Sequence, residues 1–324
     1  MELSLRRLRM LRELERRGTV TAVAAALHYS PSGVSQQLAQ LEREVGVPLV
    51  ERHGRRVQLT ELGLLLAEHA EEILAAVERA TTALERAQQG VTARLTVGVW
   101  ASVASGLLPA ALAVLARDHP GIEVRTTELA PEETADAVRD GTLDLSFVIE
   151  YSTYPRAWDP ALGRVVIAVE RLHAAVPAGV VPGDTVSLGE LAEQPWILAG
   201  QRSHFGRAVR LACRHRGFEP RIGHEVEEQA TALAMVAGGQ GVTLVSDLAL
   251  ALLPPGVDIV ALEEPVMRTV SLAHRVTGTA RPSVALFVDA VRTAAAQMGL
   301  AASAPLPHSP GVSGRAGRGR PPAR

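Results

Sequence analysis

Residues 30–46 read Ser-Pro-Ser-Gly-Val-Ser-Gln-Gln-Leu-Ala-Gln-Leu-Glu-Arg-Glu-Val-Gly. Serine followed by proline is a strong helix start. The hydroxyl can accept from a first-turn amide that has no helical partner, and proline has no amide proton to leave unsatisfied. Val34, Leu38, Leu41 and Val45 then recur on one face until Gly46 stops the pattern. Upstream, Leu5, Leu8, Leu11 and Leu14 predict a helix over 4–17 ending at Gly18, and an alanine-rich helix follows over 22–27, which Thr19 or Thr21 can cap. Two short helices joined by a tight turn and braced by a third spell a helix-turn-helix. Next, 49–52 and 56–59 flank His53-Gly54-Arg55, the pattern of a two-stranded hairpin, or wing.

A polyanion is the natural partner of this head. Residues 1–60 carry ten Arg against six Glu, whereas 61–90 carry six Glu against two Arg. The whole 324-residue chain has a formal charge of −2, so a basic head sits on an acidic body. All the basic side chains are Arg, which looks like codon bias, so Arg counts alone are not read as functional. Ser32, Ser35 and Gln36 fall on the outer, N-terminal part of the third helix. Hydroxyl and amide groups there suit base edges in a major groove, because an amide can pair bidentately with adenine. Ser30 caps that helix, and Pro31 starts it and offers apolar contact. On the wing, Arg52, Arg55 and Arg56 read as phosphate or minor-groove contacts, or as solvated charges. Thr19 and Thr21 can hold a phosphate on free backbone amides or simply cap their helix.

From Thr60 a long helix through about residue 89 carries one apolar stripe from Leu62 to Leu84, which implies a partner helix and hence a dimer. The grammar then changes to alternating strands and helices. Strands at 94–99, 122–128 and 143–149 with helices at 102–118 and 132–140 make βαβαβ and predict a parallel sheet. Further strands are expected at 165–170, 171–176, 196–198, near Glu225, at 241–245 and at 269–275. Helices are expected at 188–192, 203–216, 230–237 and 282–299. The domains expected are therefore a head (1–60), a linker helix (61–90) and a two-lobed α/β body (91–300). Lobe one takes 91–150 plus 268–300 and lobe two 151–267, with hinges near Glu150-Tyr151 and Pro265-Val266-Met267. The Pro/Gly/Ser/Ala/Arg tail, 301–324, is basic and predicted disordered, with a second nucleic-acid arm as an alternative.

Several classes recede. Leu95 to Ala116 lacks charge, but Gly98, Ser102, Ser105, Gly106 and Pro109 make a buried strand and helix the better reading than a membrane span. Without an apolar leader at its start, the chain is expected in the cytoplasm. A single cysteine, Cys213, excludes a disulfide framework and reads as a small buried residue. His204, His215 and His224 lack metal-ligand spacing. Gly238-Gly239-Gln240-Gly241 follows a helix, the reverse of a dinucleotide loop. No metal, cofactor or catalytic constellation is therefore expected. The alternatives are a small-molecule-binding protein or an enzyme on the same α/β body.

The head also resembles the LysR-type transcriptional regulators, through Gly18-Thr19-Val20-Thr21, Ser35-Gln36-Gln37-Leu38, Glu44-Val45-Gly46-Val47-Pro48-Leu49 and Leu59-Thr60-Glu61-Leu62-Gly63. Looser matches follow in order along the body, among them His119-Pro120-Gly121-Ile122, Gly141-Thr142-Leu143-Asp144-Leu145 and Gly238-Gly239-Gln240-Gly241-Val242. Pro31 departs from the family pattern, since many relatives carry Gln there. The resemblance implies a winged helix-turn-helix, a linker-helix dimer and a body similar to type 2 periplasmic binding proteins. It implies as partners double-stranded promoter DNA, a small-molecule effector, further copies in a homodimer or homotetramer, and RNA polymerase. It also carries over effector-site candidates: Trp100, Ala101 and Ser102 after the first body strand, Tyr151 at the crossover, and Gly200, Gln201, Ser203 and His204 in a loop opening a helix that can receive an anionic group. Ser102 and Ser203 read equally as helix caps, and Trp100 as core.

Overall fold

A computed structural model describes residues 3–27, 29–53, 56–87, 92–276 and 281–300. The tail 301–324 and wing residue Arg55 lie outside the described residues. Three helices make the head: α1 (Leu5–Arg17), α2 (Val20–Ala26) and α3 (Pro31–Val45). Gly18 and Gly46 close α1 and α3 with φ of +70° and +78°, a backbone that side-chain-bearing residues avoid. Helix α2 starts earlier than expected because Thr19 is its cap, its Oγ1 accepting from Ala22 N at 3.2 Å, which leaves Thr21 inside the helix. Ser30 caps α3 in the same way, accepting from Gly33 N at 3.1 Å. Met10, Leu11, Leu14, Val34, Leu38 and Leu41 fill the shared core. The wing is an antiparallel pair, β1 (Val50–His53) and β2 (Arg56–Leu59). Thr60 caps the linker helix α4 (Glu61–Ala87) by accepting from Gly63 N at 3.0 Å. A Cβ on Gly63 would lie 2.1 Å from the Leu49 carbonyl oxygen, so only glycine lets the helix close on the wing.

The body continues with β3 (Ala93–Val99), α5 (Ala101–Gly106), α6 (Leu108–Asp118), β4 (Ile122–Glu128), α7 (Pro131–Arg139) and β5 (Leu145–Tyr151). β3 lies parallel to both β4 and β5. The helix expected over 102–118 is two, broken at Leu107: Pro109 belongs in the first turn of a new helix, where its missing N–H costs nothing. The second lobe adds β6 (Leu162–Pro177), β7 (Thr185–Val186), β8 (Trp196–Leu198), α8 (His204–His215), β9 (Ile222–Glu225), α9 (Gln229–Ala237) and β10 (Thr243–Ser246). The chain returns through β11 (Val257–Arg275) to α10 (Pro282–Gln297).

One seven-stranded sheet runs through the body in the order β10-β6-β11-β5-β3-β4, with β7 against β11. The expected parallel sheet is thus mixed: β3, β4 and β5 are parallel, as is the short β7 against β11, but β11 lies antiparallel to both β5 and β6. The two strands expected at 165–170 and 171–176 are the single 16-residue β6, and the strand expected at 269–275 is the end of the 19-residue β11. Glu170-Arg171 reads in sequence as a polar boundary. In the fold Glu170 is fully buried and its charge is met by Arg268 at 2.6 Å, so the strand continues. Residues 162–172 of β6 pair with 266–275 in the first lobe's part of the sheet. Residues 173–177 pair with 257–261 in the second, and a register shift falls between Ala261 and Val266.

Head and body meet at charged side chains. Arg16 and Arg17 reach Asp140 at 3.3 and 2.5 Å, and Arg17 also holds Glu13 at 2.8 Å. From α4, Glu85 takes Arg281 at 2.6 Å, and Glu78 pairs with Arg275. Burial, followed by the neighbouring Glu13 carboxylate, pushes Asp140 up to about 6, with Arg17 opposing. An unfolded aspartate ionises near 3.8, so between that pH and about 6 the folded chain holds an extra proton here. The stability contributed by this group therefore rises as pH falls through that window and is lost as pH rises through about 6. Urea midpoints of wild type and Asp140→Asn should show the wild type gaining on the variant as pH drops from about 7 to about 4. A gap that moves the opposite way contradicts the assignment.

Candidate nucleic-acid and effector sites

On α3 the polar side chains divide by occupation. Ser35 Oγ donates to the Pro31 carbonyl at 3.0 Å, and the Ser30 and Ser32 hydroxyls lie 3.1 Å apart while Ser30 caps the helix. Gln36 is exposed and makes no side-chain hydrogen bond among the described residues. Both hydrogen-bonding ends of its amide therefore face outward uncommitted. Thr19 spends its oxygen on Ala22 N, and Thr21 sits exposed on α2. Arg52 and Arg56 hold ladder positions on the wing, opposite Val57 and His53, with side chains outside the described residues, as is all of Arg55.

Between the lobes lies a cavity of about 490 Å³, within the range of small-molecule sites. Of the sequence candidates, Trp100, Ala101, Ser102, Tyr151 and Ser203 line it. Gly200, Gln201 and His204 do not, and the expected anion-receiving loop is already occupied. Gly200 N donates to Glu227 Oε1 at 2.9 Å, and His204 N donates to Glu132, which reaches across from α7. The helix start that would attract an anion thus faces the chain's own carboxylates. His204 Nδ1 lies 3.2 Å from Arg156 Nη1, a group that can only donate, so this nitrogen accepts. Burial and then Arg156 hold the imidazole below its ordinary range.

Beneath the cavity is a closed polar network. Arg268 donates from Nε to Glu170 Oε2 at 2.7 Å and from Nη2 to Ser102 Oγ at 3.3 Å. Trp100 Nε1 also donates to Ser102 Oγ, at 3.0 Å, and Glu170 Oε1 accepts from Leu248 N at 2.7 Å. Burial works against the charge on Arg268, but Glu170 and Tyr151 outweigh it and its pKa is raised. Burial pushes the Tyr151 phenol up to about 12. Trp100 serves both of its readings: it lines the cavity and meets Phe147 edge-on at 6.3 Å in the core.

Missed in sequence were Arg268 and Phe205, the stretch Glu128 to Glu133, and Glu227 to Gln229. A signal for part of this existed. Glu128 ends a parallel strand and Glu227 follows another, and ligands in α/β sheets gather at the carboxyl ends of strands. The charge-free run Leu95 to Ala116 is β3, α5 and α6, and among the described residues no helix is long and apolar enough to cross a membrane.

A helix-turn-helix head joined to a two-lobed body with a cleft is the build of a ligand-responsive regulator. Residues 5–64 match the model of the bacterial regulatory helix-turn-helix protein, lysR family, and residues 88–296 that of the LysR substrate binding domain. The chain belongs to the LysR family of transcriptional regulators, with a DNA-binding helix-turn-helix and an effector-binding domain. It is 27% identical over 249 residues to the HTH-type transcriptional regulator BenM of Acinetobacter baylyi, a span covering 75% of this chain and 80% of BenM. It is 27% identical over 293 residues to the transcriptional dual regulator GltC of Bacillus subtilis, covering 89% and 96%. Full-length CbnR, solved in complex with its target DNA, superposes with a TM-score of 0.54 at 27% identity, covering 90% of this chain and all of CbnR.

Cys213 is fully buried in α8, and burial pushes its thiol up to about 12. A maleimide should leave it unmodified in the native protein and label it fully in denaturant, as read by intact mass. Rapid native labelling contradicts this placement.

Proposed function

We propose that this regulator reads promoter DNA with α3 and that an organic effector in the interlobe cavity biases that binding. It works in the cytoplasm as a homodimer or homotetramer, catalyses no reaction, and has RNA polymerase as its downstream partner. The observation that carries the reading is Gln36: an uncommitted amide on the exposed face of a helix whose serine hydroxyls are largely engaged. Such an amide can take both hydrogen-bonding groups of an adenine edge, while Pro31 and Ser32 approach the same groove. Arg52, Arg55 and Arg56 on the wing add phosphate contacts, which carry affinity and salt dependence but little sequence information.

Self-association is supported by α4. It covers part of its surface against its own chain, yet Leu62, Leu65 and Leu84 remain 47%, 51% and 67% exposed along one face. A helix with such a row needs a second helix over it. For the effector, the cavity offers Trp100 and Tyr151 as apolar wall, with Ser102 and Ser203 as hydroxyl groups at its edge. Because Ser102 Oγ already receives two donors, its proton is the group left for a ligand. An effector acts only if it binds one arrangement of lobes or protomers better than another.

Gln36→Ala should lower discrimination between operator and random duplex by about 1–3 kcal/mol, measured by competition binding at fixed salt. An unchanged ratio contradicts base reading by this residue. Leu65→Glu combined with Leu84→Glu should shift the protein toward monomer in sedimentation velocity. Unaltered association places the interface elsewhere.

A further inference from the structure

Three of the donors in and beside the cleft, the Arg268 guanidinium and the Gly200 and His204 amides, are already met by carboxylates of the chain. Glu170 answers Arg268 at 2.6 Å, Glu227 takes Gly200 N at 2.9 Å, and Glu132 takes His204 N at the start of α8. Around the same cavity stand five carboxylates, Glu128, Glu132, Glu133, Glu227 and Glu228, against the single guanidinium of Arg268. Glu128 and Glu133 make no side-chain hydrogen bond or ion pair among the described residues. Although Glu128, Glu133, Glu227 and Glu228 are exposed, this excess around one cleft repels anions and draws cations, most strongly at low salt.

Two further observations narrow the class. The described residues contain no group of three or more acidic, His or Cys side chains placed to hold a metal ion, so the carboxylates are spread too widely for a bare cation. Trp100, Tyr151 and Phe205 give the same cavity an aromatic wall, which suits a flat apolar body and can face a positive charge with ring π-density. We infer that the effector is a small organic cation, a protonated amine on an apolar or aromatic frame, with its charge toward the Glu128/Glu133 side and its body against Trp100 and Phe205. This rests on the cleft being the effector site.

The test is calorimetric titration of the full-length protein with three probes of like size: 2-phenylethylammonium, phenylacetate and 2-phenylethanol. The ammonium should bind at least about tenfold more tightly than phenylacetate at low salt, and added salt should narrow the gap. Glu128→Gln with Glu133→Gln, both on exposed side chains, should bring the ammonium toward the alcohol. Ala101→Trp, which fills the mouth, should weaken every probe. Phenylacetate binding as tightly as the ammonium and lost in Ala101→Trp overturns the charge class and leaves the cleft reading intact. Binding that survives Ala101→Trp, or none of the probes binding below about 10 mM, overturns the cleft reading as well.

Discussion

The body is organised around one buried ion pair. Glu170 and Arg268 sit where β6 and β11 leave one lobe and enter the other, 2.6 Å apart and screened from solvent. Burying two charges is costly, and further hydrogen bonds from both partners offset part of that cost. Arg268 also reaches Ser102, and Glu170 also receives the Leu248 amide. Through these bonds the start of α5, the turn after β10 and the middle of both long strands are fixed to one point. Removing either partner would strand a charge in the core, an error of about 3–5 kcal/mol. The cavity lies directly above, with Arg268 and Ser102 in its floor and the Arg268 charge met by Glu170.

The acid-lined walls belong to a strand end, a loop and first helical turns rather than to strand interiors. Glu132 of the first lobe and Glu227 of the second are both spent on the loop 199–204. The same loop is thereby joined to both lobes, and a guest that drew Glu132 aside would release one of those ties. Such a change is local electrostatics with a mechanical result, the minimum an effector needs in order to favour one arrangement.

The head was legible in the sequence because its signals are local. Ser30 before Pro31, Gly18 and Gly46 after apolar rows, and Thr60 before a long helix each act within a single turn. The body was legible in class but not in detail. Pro109 hides a helix break inside an unbroken apolar run, and Glu170-Arg171 looks like a strand end until its partner, 98 residues away, is known. Antiparallel pairing of β11 with β5 and β6 depends on that same distant return of the chain. Trp100, Ala101, Ser102, Tyr151 and Ser203 share a cavity. The acidic walls that decide its charge come from two stretches nearly a hundred positions apart, and no spacing rule joins them.

The lobes are connected by two strands that pass through the boundary paired with each other, with register shifts between Ala261 and Val266, where 262–265 leave the ladder with β6, and between Val270 and Ser271. The first shift adjoins Pro265-Val266-Met267, one of the two expected hinges, while the rest of the crossing is a hydrogen-bonded ribbon. Ribbons resist bending in their plane but yield to torsion, so motion between the lobes would favour a small rotation. Arg275 and Arg281 of the body are tied to Glu78 and Glu85 of α4, so a rotation of this kind would be passed to the linker helix that carries the head.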